Sequence, residues 1–596
     1  MKRSRRKPIS FDTTLRNPSR IPRFISILKK YEGQTIDDKL ALELEAEIIR
    51  QKVYEPTKLT LGTYVSKYDD KFHFLAKDQS KGAEKKVDKI FSKWESGKPG
   101  SVALCEIIYL LENTITQHKE HGWKGGWESR IHTQFNFLNE LGFVKVKKGE
   151  KIAISLNGNF MIHEYKNGLP IKEDYDESYE QSAFLNAFSK YQTNNPYRSN
   201  TIKVNFFPLI LNVIKYLDKT YMQKGLYRDY LPFVIAWNDN KFKNLGDYIN
   251  NFRNKFGKNI SNYKIYEYAM DLMDDSTPNN DTPSPAKKKF LNHHKKIFKY
   301  DKLIIETPDE IIRKLRLTML VSLRGNGTYI DINKNEISKI NYVCTKYFKN
   351  IDFKNNVNKY FAYMGSIDNN LIFSPKSQET IKEKNVKEDT IKNWAEKKDW
   401  KFLKKEMIYC VSKTVSTHPV LKYIKKSACL EFLSAIVLKK ALPKIKVIAN
   451  YKADDEGIPF TTASGGNKNT VGADIDVFEK NIHAIIEPTI SKQRSFQVEH
   501  ELPSVRNHVQ GTYKKDLNDK NGYNEWFCLF IASNISHDVG DQIALIKQIN
   551  NVEIYPWDIK DFVDFSKSVK SIRDYKIIRK YVKPELIPTN HKILKK

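Results

Sequence analysis

The spacing of apolar residues along the chain changes several times, and each change predicts a different element. Helical periodicity runs through DDKLALELEAEIIRQKVY near residue 40 and through VALCEIIYLLENT after Ser101. From about residue 130 the pattern predicts a helix, a break at Gly142, a strand Phe143 to Val146, a basic turn Lys147-Lys148-Gly149-Glu150-Lys151 and a strand Ile152 to Leu156. Residues 161–273 read as mainly helical, with aromatic and basic residues interleaved. The helix-then-hairpin pattern returns at 311–332, IIRKLRLTMLV followed by SLRGNGTYIDI, with Arg324-Gly325-Asn326-Gly327 as the turn. Charged helical sequence fills 379–407, and an apolar helix follows at about 420–440. Beyond it come the strand KVIANY, a helical stretch near 500–517 and the strand WFCLFIAS from Trp526. Helices alternating with apolar strands predict an α/β domain at this end of the chain.

The sharpest local pattern is VGADIDVFEKNIHAIIEPTISKQRSFQVEHE, residues 471–501. An alternating segment from Asp474 meets a Glu-Lys-Asn turn, and a mostly apolar run from Ile482 ends on Glu487. Two short antiparallel strands are predicted, since β-branched residues bounded by turn formers favour a hairpin. Asp474 then starts the first strand and Glu487 ends the second, so the two carboxylates lie side by side. Such a pair is either a divalent-metal site or a pair sharing a proton.

Composition changes the picture mainly through charge. With 101 Lys and Arg against 71 Asp and Glu, the 596-residue chain carries a formal net charge of +30. That excess opposes compaction unless a polyanion offsets it, and it points first to nucleic acid. The length calls for several domains. Five cysteines, Cys105, Cys344, Cys410, Cys429 and Cys528, form no CxxC pair, which disfavours zinc ribbons and a disulfide framework. The basic amino terminus lacks the apolar stretch of a secretory signal. No later run reaches the roughly 18 apolar residues of a membrane span, so a soluble protein in a reducing compartment is expected.

Charge and hairpin together suggest further candidates. Glu431, set among apolar residues of SACLEFLSAIVLKK, is costly unless paired or bound to metal. Glu499 and Glu501 supply a third acidic group. These oxygen donors, with no thiolate nearby in sequence, suit Mg²⁺, for which Mn²⁺ can substitute. The common nuclease pattern of Asp, then Glu-x-Lys, is altered, because Thr489 stands where the lysine would be; Lys492 on the same segment is the candidate cation. Arg506 and His508 are candidate phosphate clamps. Helix-plus-wing units place helices in the major groove and wings on backbone or minor groove, which nominates Lys147, Lys148, Lys151 and Arg324. Near the start, Arg20 and Arg23 with Ser10, Thr13 and Thr14 form a polar patch between apolar anchors Ile9, Phe11 and Ile21. DDSTPNNDTPSP, 274–285, reads as a linker. Two other function classes stay open on these residues: a DNA-binding protein without cleavage activity, and an RNA binder that stacks bases on the aromatic helices.

These residues resemble the AlwI family of type IIS restriction endonucleases, which includes strand-nicking relatives. The family's cleavage segment has an Asp followed thirteen positions on by Glu-x-Thr, then Ser-Lys, a Phe, an acidic cluster, Pro, and an Arg near His. Asp474, Glu487, Thr489, Ser491, Lys492, Phe496, Glu499, Glu501, Pro503, Arg506 and His508 match it, Glu431 matches the family's catalytic glutamate, and ISFDTTLRNPSRI is similar to the family's opening. Pro488, a shortened spacing between Lys492 and Glu499, and an inserted Leu502 depart from it, leaving open whether Glu499 or Glu501 is the third acid. The resemblance implies a multidomain α+β chain: a mostly helical N-terminal DNA-recognition region with winged-helix-like subdomains, and a C-terminal α/β restriction-endonuclease-like domain of PD-(D/E)xK variant type. The implied divisions are recognition subdomains over 1–285 with a wing-like unit at 130–160, a second winged-helix-like subdomain at 286–365, a helical linker at 366–410 and a cleavage domain at 411–596. Asp474, Glu487 and Glu499 are the implied metal ligands, with Glu431 and Lys492 completing the catalytic set. Implied partners are double-stranded DNA with a short asymmetric site, a second subunit or transient dimer for double-strand cleavage, and a companion DNA methyltransferase in a prokaryotic cytoplasm.

Overall fold

In the computed structural model, described at residues 9, 11, 18–56, 63–66, 74–116, 126–171, 176–198, 202–257, 260–273, 299–353, 355–374, 379–463, 472–492 and 497–577, the chain divides into two compact units. Unit 1 takes residues 1–171, 178–318 and 338–373. Unit 2 takes 172–177, 319–337 and 374–596. The linker expected at 274–285, together with Ser10, Thr13, Thr14 and Phe496, lies outside the described residues.

Unit 1 is helical. Helices α1 (Ile21–Leu28) and α2 (Asp38–Arg50) open it, the second capped by the Asp37 side chain, which accepts from the Leu40 N–H. The anchors Ile9, Phe11 and Ile21 are buried as expected. Phe11 packs against Phe137, Phe188, Tyr191 and Phe206. Among the described residues of 161–273, nine aromatic side chains, Phe184 and Phe233 among them, are buried in the same way and are spent as core contacts. Helix α3 (Arg130–Glu140) leads through Gly142 into the expected hairpin, β1 (Val144–Lys145) and β2 (Ala153–Ile154). The hairpin is not a free wing. Residues 33–36 run along its far side, where Gly33 donates to Ile152 O and the Ile152 N–H to Gln34 O at 2.8 and 2.9 Å.

The second helix-and-hairpin pattern also forms, as α4 (Thr307–Leu317) followed by β3 (Val321–Arg324) and β4 (Tyr329–Ile332). It is not one body, however. The helix belongs to unit 1 and the hairpin to unit 2, so the subdomain expected at 286–365 is split. The expected linker is likewise absorbed. Helices α5 (Ile381–Lys397) and α6 (Trp400–Cys410) bury Ile391, Ala395, Leu403, Met407 and Cys410 in the core of unit 2 against α7 (Lys426–Ala441).

Around α7 unit 2 builds a five-stranded mixed sheet. Its strands are β5 (Lys446–Ala449), β8 (Ile475–Glu479), β9 (Ile482–Pro488), β10 (Glu525–Ala532) and β11 (Ile554–Asp558), in the spatial order β11, β10, β9, β8, β5. Strands β9, β10 and β11 are parallel to one another; β8 is antiparallel to both its neighbours. A separate two-stranded pair, β6 (Tyr451–Ala453) and β7 (Pro459–Ala463), packs on α7. Ile482, Ala484 and Ile486 face the core shared with α5, α6, α7 and α10 (Ile559–Phe565), while Ile485 faces α8 (Leu502–Asn518) and α9 (His537–Asn550). Every residue of β9 is buried, as expected of a central strand covered on both faces. No helix among the described residues is long and apolar enough to cross a membrane.

Gly142 offers a test of unit 1. Its φ is +68°, and a Cβ placed there would lie 2.2 Å from Met364 Cβ. Gly142→Ala combines left-handed strain with overpacking and should cost about 2–4 kcal/mol in urea unfolding. A loss below roughly 0.5 kcal/mol, within the range of neutral surface changes, would show that the close approach does not exist.

Candidate active site

The two-residue turn Lys480-Asn481, with Lys480 at φ +52°, sets the register of the β8–β9 hairpin, pairing Glu479 with Ile482 and Ile475 with Ile486. One step beyond the last pair, Asp474 comes alongside Glu487. Strand alternation puts Glu487 on the face that carries Ile485, toward α8, and Asp474 stands in the bend that opens β8. Asn450 fixes the start of β8: its N–H donates to Asp474 O at 2.9 Å, and its side-chain amide donates to Ala473 O and Asp476 Oδ2. On β10 the buried Cys528 thiol is pushed well up, first by burial and then by the negative charges of Glu487 and Asp474. One thiol sensing both carboxylates is consistent with the pair standing together. A sulfur is thus close to the acids, though it is held as a neutral thiol and offers no thiolate ligand.

Glu487 is 8% exposed, and His508 Nδ1 on α8 lies 2.8 Å from its Oε1. The other ring nitrogen of His508 is 3.4 Å from Ser504 Oγ. Expected as a phosphate clamp, His508 is placed as the partner of a carboxylate. Thr489 donates to Glu501 Oε1 at 2.8 Å, which holds Glu501 at the amino end of α8, where a negative charge meets the positive end of the helix. Glu499 is exposed in the turn before α8. Of the two acids left open by the sequence, Glu501 is the one tied to the strand that carries Glu487. Lys492 is exposed, and Arg506 bonds the side chain of its neighbour Asn507.

Glu431, near the middle of α7, is 3% exposed and accepts from the Ala463 N–H at 3.0 Å. Burial pushes its carboxyl well above the usual carboxylate range. The charges of Glu177 and Glu487 add to the effect, and the Ala463 bond opposes it. The Lys425 charge also opposes the rise, and the balance of burial and neighbouring acids disfavours the charged form of Glu431. Sequence reasoning missed Glu177, whose Oε1 accepts from Lys425 Nζ at 2.8 Å and from Thr462 Oγ1 at 3.1 Å. Nothing local marks it out within KEDYDESYE, because its partners are more than 240 residues away.

Among the described residues no three His, Cys, Asp or Glu side chains converge closely enough to enclose an ion by themselves. The acids that do crowd together offer only oxygen donors, and their like charges oppose one another. That set fits Mg²⁺, which keeps several waters and takes one or two carboxylates plus substrate phosphate, and does not fit a closed structural metal cage.

Farther along the same face, buried His483 lies between Asp476 Oδ1 (2.9 Å from Nε2) and Asp516 Oδ2 (2.6 Å from Nδ1). Trp526 and Asn521 also donate to Asp516. Burial alone would lower the imidazole pKa, but the two aspartates outweigh it and raise the pKa above its ordinary value. Neither this brace nor its partners were apparent in the sequence.

Two of the candidate DNA contacts outside the site, Arg324 and Arg23, are placed differently from expectation. Arg324 pairs with Asp331, Asp455 and Glu456 and donates to Ile332 O at 3.0 Å; with a side chain 13% exposed, its guanidinium is used inside unit 2 and does not present itself to a phosphate. Arg23 is similarly occupied, donating to Gly168 O and Gln51 O, with its pKa drawn down by burial. Arg20 and Lys151 are exposed. Lys147 and Lys148 stand on the turn of the first hairpin, paired with Glu150 and Asp38.

Among known proteins, the sequence pattern of "AlwI restriction endonuclease" matches residues 139–396 and 416–565. No curated protein matches the chain. Three solved structures are similar to it. The small subunit of the heterodimeric restriction endonuclease R.BspD6I is 22% identical, covering 28% of this chain and 77% of that one with a TM-score of 0.22. Restriction endonuclease FokI is 11% identical, covering 94% and 96% at a TM-score of 0.22. FokI bound to DNA is 10% identical, covering 90% and 95% at 0.21.

Two expectations follow from this geometry. Arg324→Ala strands Asp331 and Asp455, 8% and 10% exposed, without their cation, and should destabilise unit 2 by about 3 kcal/mol in urea unfolding. A stable variant that instead binds DNA more weakly would return Arg324 to phosphate contact. For His483 the folded pKa lies above the unfolded value near 6.5, so its stabilisation is complete below about pH 6.5 and is lost as pH rises through the folded pKa. The unfolding free-energy difference between the native chain and His483→Gln should therefore shrink from about pH 6.5 upward; a difference independent of pH would contradict the ion-paired imidazole.

Proposed function

The chain belongs to the AlwI restriction endonuclease family, and from that premise we propose that it is a type IIS site-specific deoxyribonuclease. It recognises a short asymmetric duplex site and hydrolyses a phosphodiester bond at a fixed offset, with Mg²⁺. The observation that carries the reading is the β8–β9 register, which ends on Ile475–Ile486 with Asp474 and Glu487 next along the two segments, beside His508 on Glu487 and Glu501 on Thr489.

Asp474 and Glu487 are the residues that would hold the ion, with Glu501, anchored through Thr489, a better-placed third acid than the exposed Glu499. A divalent ion supplies charge relief on the phosphoryl oxygens, an acidified water and stabilisation of the departing oxygen. The chain's own residues prepare that site. His508 fixes the orientation of the Glu487 carboxylate. Glu431, buried and held by the Ala463 N–H, stands where burial and neighbouring acids disfavour its charged form. Lys492 and Arg506 stand on the same segment and on α8, where their charges suit a phosphate backbone. Arg20, Lys147, Lys148 and Lys151 in unit 1 add to the positive field that attracts a duplex, a contribution independent of sequence.

One such cluster per chain, among the described residues, faces one strand. A lone copy therefore nicks, and breaking both strands takes a second subunit or a transient dimer. A companion methyltransferase and a prokaryotic cytoplasm complete the biological setting proposed.

Supercoiled plasmid of mixed sequence, incubated with the protein and Mg²⁺, should give reproducible nicks or fragments whose ends map at one offset from a common sequence. Asp474→Ala should lower the rate at least about 100-fold while leaving duplex binding intact, as expected if several kcal/mol of charge stabilisation pass through that carboxylate. Sequence-specific binding without cleavage under any divalent ion would favour the non-catalytic DNA-binding reading instead.

A further inference from the structure

Residues 172–177 stand far in sequence from the rest of unit 2, yet they belong to it. The acidic side chain of Glu177 is 10% exposed, and one of its oxygens makes two bonds, to Lys425 Nζ and to Thr462 Oγ1. The ends of those bonds matter. Lys425 is the residue immediately before α7, the helix that carries Glu431. Thr462 is the next-to-last residue of β7, and the next residue, Ala463, gives its N–H to Glu431 Oε2. A single carboxylate oxygen thus ties together the two elements that hold Glu431: the helix on which it rides and the strand end whose amide it accepts.

A neutral amide could accept the Thr462 bond without adding charge to a neighbourhood that already holds Glu431 and Glu487. A carboxylate is worth its cost there only if it does something a neutral acceptor cannot. Its charge fixes Lys425, and a charge-assisted bond is shorter and stronger than a neutral one.

We propose that Glu177 is a positioning residue of the cleavage site, clamping the start of α7 to the end of β7 so that Glu431 and the Ala463 N–H stay in register. The proposal rests on the nuclease reading for its effect on rate, but not for its effect on structure. Both consequences are therefore measured in the full-length protein.

In single-turnover cleavage, Glu177→Ala should slow the reaction about 10- to 100-fold, the cost of a small misplacement of a reacting group, with duplex affinity within about twofold of native. Glu177→Gln, which keeps an acceptor for Thr462, should recover part of the loss. Amide hydrogen exchange of residues 460–463 should quicken in both variants, more in the alanine, while strands β9 and β10 keep native protection. The glutamine variant carries the test if the alanine variant does not fold. Native exchange at Ala463 in Glu177→Gln, or native cleavage rates in both variants, would overturn the clamp. A native protein that cleaves nothing with any divalent ion would sink the nuclease reading, and the exchange data would still decide the role of Glu177.

Discussion

The pairing of Ile475 with Ile486 is the constraint on which unit 2 depends. Because side chains alternate across a strand, that one register decides which residues enter the core and which enter the site. It sends Ile475, Val477, Ile482, Ala484 and Ile486 into the core beneath α7, and it leaves Asp476, His483 and Glu487 on the face toward α8, with Asp474 in the bend just before β8. A slip of one residue would bury the carboxylates among aliphatic side chains and expose the isoleucines. The apolar core therefore specifies the acidic site, and a local turn of two residues is enough to set both.

Crowding of acids is costly, and the structure shows how it is contained. His508 takes Glu487, Thr489 takes Glu501, Lys425 takes Glu177, and the backbone amide of Ala463 takes Glu431. Each of the four acids is thus given at least one directional partner, and Glu177 has two. Farther along the face, the Asp476–His483–Asp516 brace stiffens β8 against β9 and α8 without drawing on those groups. The excess positive charge of the chain is also sorted. Arg324 and Arg198 are spent on buried or half-buried ion pairs, the latter with Glu140, and such pairs chiefly fix geometry. The charge that remains at the surface is mostly lysine.

What was legible in the sequence was what neighbouring residues decide. The β8–β9 hairpin, the apolar helix around Glu431, the strand from Trp526 and the helix–Gly142–hairpin unit all formed where alternation, periodicity and turn residues placed them. The misreadings have a common cause. Arg324 looked like an exposed turn arginine because its carboxylate partners Asp455 and Glu456 lie about 130 residues on. Helices α5 and α6 looked like a spacer because their charged faces outnumber the few apolar positions, Ile391, Leu403 and Met407, that seat them in the core. Glu177 gave no signal at all, since its partners Lys425 and Thr462 meet it only once distant segments come together. Long-range pairing is invisible to periodicity, and it supplied the electrostatic detail of the site.

The central claim is that Asp474 and Glu487 together take up one divalent ion. Anomalous diffraction from crystals of the protein with duplex DNA and Mn²⁺ tests it most directly. The account predicts a manganese peak within bonding distance, about 2.0–2.4 Å, of an oxygen from each of the two side chains, with a phosphate oxygen and waters completing the shell. Density that bridges neither carboxylate, or Asp474 turned to solvent while cleavage-competent DNA is bound, would contradict it.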